Sequence, residues 1–187
     1  MDGAIQPSQV LPVAIFVDAP NILISIRDGL IGSEKEEAHI DEMEWTALLD
    51  YIIYTVQEET GREVEVEHAG LYCPNYFIAD VVTKQKVLEA REAEFTLYVE
   101  HAKDVDRLIV DDIWDTVVTH CPHTSADPKL EIIIVSGDGD FARTAERILK
   151  NFEGVAFRIF GHNVNSVWRG MHIPVHPLPN AKKFVQN

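Results

Sequence analysis

The chain has 187 residues, enough for one domain with a real core and too few for two of ordinary size. Its hydrophobic fraction of 46% is ordinary for a globular protein, and no apolar run approaches the roughly 18 residues of a membrane span. The net charge of −15 argues against a uniformly polyanion-binding surface, because like charges repel.

Residues 1–11 lack a basic stretch followed by an apolar one, so they read as a flexible tail without a secretory signal. Val13-Ala14-Ile15-Phe16-Val17 is a continuous apolar run ending at Asp18, the pattern of a strand buried on both faces. Residues 21–30 read as a short helical turn and 32–39 as an exposed acidic loop. Asp41 and Glu44 have the spacing of a capping box. The helix it predicts carries Trp45, Leu48, Leu49, Ile52, Ile53 and Val56 at helical spacing, and Gly61 stops it. A strand is expected over 64–72. A helix follows over 76–93, with Ile78, Val81, Val82, Val87 and Leu88 as its apolar set, then a strand over 95–99. Residues 105–121 predict a helix built on Leu108, Ile109, Ile113, Val117 and Val118. A loop at 122–129 leads to the most apolar strand, 130–135, then a helix over 141–151 and a strand over 155–160. Pro174, Pro177 and Pro179 make the end irregular or an edge strand.

Alternating strands and helices mean an α/β fold. The expected form is a three-layer α/β/α sandwich with a mainly parallel central sheet. One domain over 12–180 is expected, with a C-terminal tail at 181–187. In such sheets ligands bind beyond the carboxyl ends of the strands. Three segments deliver carboxylates there: Asp18 after the first strand, Lys103-Asp104-Val105-Asp106, and Ser136-Gly137-Asp138-Gly139-Asp140. Singly, each Asp could be a cap or turn residue. Together they repel one another, and a hard divalent cation relieves that repulsion while activating water against a phosphodiester. The two glycines of the last segment suggest a close approach of backbone and ligand.

The basic residues are unevenly placed. From Phe141 onward seven Lys/Arg face two acids, whereas nine face 29 before it. Lys103 is a candidate phosphate contact or a solvated surface lysine. Arg143, Arg147 and Lys150 share a helix face that could track a nucleic-acid backbone or pair with Glu146. Trp114 reads as core, and Trp168 beside Arg169 is the better candidate for base stacking. His120, Cys121 and His123 lack a second ligand pair for zinc, and His172 and His176 have no obvious partner. Two isolated cysteines, Cys73 and Cys121, fit a reducing cytoplasm.

Val17-Asp18-Ala19-Pro20-Asn21, Lys103-Asp104-Val105-Asp106 and Ser136-Gly137-Asp138-Gly139-Asp140-Phe141 resemble, in order, the three motifs of the NYN domain, a branch of the PIN-like nucleases. The resemblance runs from about Val13 to Phe160, and its last motif is the most specific. It implies a PIN-like fold and Mg²⁺- or Mn²⁺-dependent cleavage of RNA to 5′-phosphate products. Asp18, Asp106 and Asp138 would hold the metal, with Asp140 assisting. Asn21 would orient Asp18 or contact a phosphate, with Ser136 and Arg143 as further substrate contacts. A further family Asp falls on Asp112, but six residues turn a helix by about 600°, roughly 120° away from Asp106. The chain departs from the family at Ala19 and Asp104, where Gly is usual, and over 163–179.

The leading expectation is a metal-dependent ribonuclease acting on single-stranded RNA, soluble and, like PIN-like relatives, able to pair with itself. The alternative is a catalytically weak adaptor that kept the fold. An aspartyl-phosphate enzyme would need a second Asp where the chain has Pro20.

Overall fold

The computed structural model describes residues 10–27, 43–101, 105–121 and 130–178. The expectations for the tails at 1–9 and 181–187, the loops at 32–39 and 122–129, Asp41, Lys103, Asp104 and His123 lie outside those residues. The described strands are β1 (Leu11–Asp18), β2 (Val64–Pro74), β3 (Thr96–Glu100), β4 (Leu130–Val135), β5 (Val155–Gly161) and β6 (Val175–Pro177). They form one all-parallel sheet in the order β3-β2-β1-β4-β5-β6. The described helices are α1 (Ala19–Arg27), α2 (Trp45–Thr60), α3 (Val81–Glu89), α4 (Asp106–His120), α5 (Ala142–Asn151) and α6 (Ser166–Gly170). None is long and apolar enough to cross a membrane.

The sequence of β1 explains its central place. Val13, Ile15 and Val17 enter one core with α1, α2 and α3; Ala14 and Phe16 enter the other with α4, α5 and α6. A strand clothed on both faces cannot alternate apolar and polar residues, and β1 and β4 do not. The chain therefore winds α1 to α3 over one face, crosses after β3, and covers the other face with α4 to α6. The two cysteines are buried, and they belong to opposite cores. Burial pushes the Cys73 thiol up to about 12, with the Asp18 charge adding to the effect.

Several local expectations need correction. The helix expected over 76–93 is a 3₁₀ turn, Asn75–Ile78, followed by α3. Asp80 divides them, because its carboxylate accepts the Thr83 N–H at 2.8 Å and starts a new helix. Val81 and Val82 then fall in the exposed first turn, 83% and 53% accessible, while Val87 alone of the expected set is buried. Val118 on α4 is likewise exposed. The N-cap of α2 is Glu44, without a side-chain cap bond; Asp41, the expected cap, lies outside the described residues. Gly61 does end α2, at φ 64, donating its N–H to the Gln57 carbonyl at 2.8 Å. At the C-terminus α6 is too short to leave a periodic signal, and the Pro-rich end is the edge strand β6.

His176 on β6 has partners after all. Arg158, 6% exposed, donates its Nε–H to Glu131 at 2.6 Å, and its Nη1 reaches Glu59 of α2. The same Nη1 lies 3.1 Å from His176 Nε2. A guanidinium only donates, so Nε2 accepts and the ring proton sits on Nδ1, 3.6 Å from Glu59. Burial holds the His176 pKa below its ordinary value, against the pull of Glu59. Glu131 is 4% exposed, so removing Arg158 would strand its charge. Arg158→Met alone should cost about 3–5 kcal/mol in urea unfolding. Combining it with Glu131→Leu should recover most of that loss.

Candidate functional site

The sheet order reverses between β1 and β4. Their following helices leave over opposite faces, which opens a crevice at their carboxyl ends. Asp18 is the last residue of β1 and is only 6% exposed. Its Oδ1 accepts the Asn21 N–H at 3.3 Å, as a helix N-cap does. Pro20 lies in the first turn, where a missing N–H is tolerated. Asp18 Oδ2 accepts the Ser136 hydroxyl at 3.1 Å, across from β1 to the end of β4. With its proton committed to Asp18, the Ser136 oxygen accepts the Asp138 N–H at 3.1 Å. Asn21 Oδ1 accepts the Gly137 N–H at 2.8 Å. The first motif thus holds the third by its backbone.

The third motif is held from the other side too. The Gly137 carbonyl accepts the Asn165 N–H at 3.0 Å, and the Asp138 carbonyl accepts the Trp168 indole N–H at 2.8 Å. A Cβ at Gly137 would collide with the carbonyl of His162, so the close approach this glycine permits is to protein backbone. Asp138 Oδ1 accepts the Asp140 N–H at 3.1 Å, an Asx-type turn that aims both side chains.

Asp106, Asp138 and Asp140 converge. One carboxylate oxygen from each lies within 4.8 Å of the others. Asp106 and Asp138 are partly buried and Asp140 is exposed. Asp106 opens α4, where the helix dipole favours a negative charge. Three oxygen donors of like charge fit a hard divalent cation of the Mg²⁺ or Mn²⁺ kind. Asp18 adjoins this group through Ser136.

The remaining expected residues are placed elsewhere. Asp112 stands outside the converging trio: its Oδ2 accepts the Tyr72 hydroxyl at 2.8 Å, and that hydroxyl lies 3.2 Å from His68 Nε2. The turn of the helix between Asp106 and Asp112 accounts for the separation. Burial, reinforced by the bond to Asp112, pushes the Tyr72 phenol far up, and burial holds His68 below its ordinary pKa. Arg143 is exposed near the start of α5. The expected basic stripe is partly occupied, since Lys150 pairs with Glu146 at 2.9 Å and Arg147 lies over Trp114 at 5.5 Å. Trp168 is fully buried and cannot stack on a base; it braces Asp138 instead. No spacing in the sequence marks that role, nor that of Asn165, because both sit in a segment with no period.

The family model for the NYN domain matches residues 12–167. Among curated proteins none matches the chain. A solved protein of unknown function from Vibrio parahaemolyticus has a TM-score of 0.67, with 94% of this chain and 98% of that one covered, at 19% identity. That likeness shows a shared fold. Asp138→Asn keeps the acceptor for the Asp140 N–H and removes one of three converging charges. In EDTA its melting temperature should equal or exceed that of the unsubstituted protein. Mn²⁺ at a hundred times its dissociation constant should stabilise the unsubstituted protein by about 2.7 kcal/mol and the variant by much less. A large loss of stability in EDTA would make Asp138 a structural cap.

Proposed function

The chain belongs to the NYN domain family of PIN-like nucleases, and from that premise we propose that it is a metal-dependent ribonuclease that hydrolyses single-stranded RNA. The observation that carries this reading is the convergence of Asp106, Asp138 and Asp140 at the point where the sheet order reverses. These three carboxylates would hold Mg²⁺ or Mn²⁺. Bound there, the cation would supply Lewis acidity and offset phosphate charge.

Hydrolysis adds water across a P–O bond. The water oxygen bonds to phosphorus, the bridging bond breaks, and a proton ends on the leaving oxygen. The protein's part is largely placement. Asp18, with Ser136 and Asn21, fixes the backbone that carries Asp138 and Asp140. Trp168 and Asn165 fix its far side. Such support limits the freedom of the ligating side chains, and its loss commonly costs 10–100-fold in affinity or activity by rough precedent. Arg143, exposed near the start of α5, would meet a substrate phosphate. The two buried cysteines, set in opposite cores, fit a reducing compartment such as the cytoplasm.

The net charge of −15 favours a second reading, an adaptor with a metal site and little catalysis. Cleavage of a labelled single-stranded RNA separates the two. With Mn²⁺ or Mg²⁺ the protein should cut, and with EDTA it should not. The Asp18→Asn, Asp138→Asn double variant should be slower by about 100-fold or more. Metal binding without cleavage by either protein would move the assignment to the adaptor.

A further inference from the structure

At the same edge of the sheet as the carboxylates, a pocket of about 470 Å³ is lined by Gly161, Asn163, Val164, Arg169, Val175 and Pro177. Gly161 and Pro177 end β5 and β6, which run parallel to β4, so the pocket opens at the carboxyl ends of the strands. Its volume falls in the range of small-ligand sites, roughly 300–1,000 Å³. Gly161, Asn163 and Val164 fall within the stretch matched by the family model, and Arg169, Val175 and Pro177 lie beyond it.

Three observations say what the pocket would take. Arg169 is exposed and has no acidic partner among the described residues, in a chain of net charge −15. A guanidinium with no acidic partner among the described residues is suited to a phosphate, whose oxygens match its planar fork. Val164, Val175 and Pro177 supply an apolar wall against which a ribose or base can lie, and Asn163 brings an amide to the same space. The pocket is also tied to the carboxylates. Trp168, next to Arg169, donates to the Asp138 carbonyl at 2.8 Å, and the Asn165 N–H donates to Gly137 at 3.0 Å. At the base of the pocket, a Cβ on Gly161 would come within 2.7 Å of the Ser136 carbonyl, so β5 abuts the motif directly. The pocket and the carboxylates are therefore held at a fixed offset from one another.

We propose that this pocket is the subsite for a nucleotide flanking the scissile phosphate, with Arg169 holding that nucleotide's phosphate. The proposal rests on the ribonuclease reading for its substrate class, but binding tests it without any cleavage. The probe is a fluorescein-labelled twelve-residue oligouridylate in EDTA, followed by anisotropy at several salt concentrations. Arg169→Ala should weaken binding about tenfold and lower the salt slope by about 0.7, the value for one phosphate contact on a single strand. Arg169→Lys should recover part of the loss. Lys84→Ala, an exposed lysine on α3, should bind as the unsubstituted protein does, and melting curves check that each variant is folded. In NMR, uridine monophosphate should shift the amides of Asn163, Val164 and Val175 only when Arg169 is present. Unchanged affinity and salt slope in Arg169→Ala, or no oligouridylate binding by the unsubstituted protein, would overturn the subsite. Binding through Arg169 without cleavage in any metal would sink the catalytic reading and leave only the pocket's nucleotide-phosphate contact standing.

Discussion

The hydrogen bond from Ser136 to the Asp18 carboxylate joins the carboxyl ends of the two central strands. It crosses the point where the strand order reverses and the helices that follow β1 and β4 leave over opposite faces. Both groups are buried, so the bond is to an ion in a weakly screened setting, worth about 2 kcal/mol by ordinary precedent. Its larger effect is directional. Once Ser136 donates to Asp18, its oxygen must accept from Asp138, and the turn carrying Asp138 and Asp140 has one orientation. Asn21 adds a second strut to the same turn through Gly137. A charge at residue 18 thus organises carboxylates more than a hundred residues away in sequence.

That organisation opposes stability. Like charges brought together raise the energy of the folded state, and the molecule assembles them on a framework of hydrogen bonds. The bracing comes from separate parts of the fold: α1 through Asn21, the residue after β4, Ser136, and α6 through Trp168. A cation-binding role would account for both the gathering and the bracing, where capping and turn formation would account for Asp18, Asp106 and Asp138 only one at a time.

Much of this was legible in the chain. Continuous apolar runs at β1 and β4 identify buried parallel strands, and from them follow the sheet, its crevice and the three carboxylate segments. The legible part ends where local signals compete or vanish. Val81 and Val82 look like a helix face, but the Asp80 cap moves the helix start and exposes them. Asp112 matches a family position, yet the turn of α4 carries it to Tyr72 and His68. Trp168 beside Arg169 looks like a base-stacking pair. Five residues of helix leave no periodicity to show that the indole points inward, to Asp138, while Arg169 is exposed at the pocket. His176 gained its partners from strand pairing that no local pattern announces.

The account stands on the three converging carboxylates acting together on one cation. Crystals soaked in millimolar Mn²⁺, with data collected near the manganese edge, address this most directly. An anomalous peak within coordination distance of Asp106, Asp138 and Asp140, lost in Asp138→Asn, is the predicted result. A well-ordered map with no peak there, or manganese bound only at other carboxylates, would contradict it.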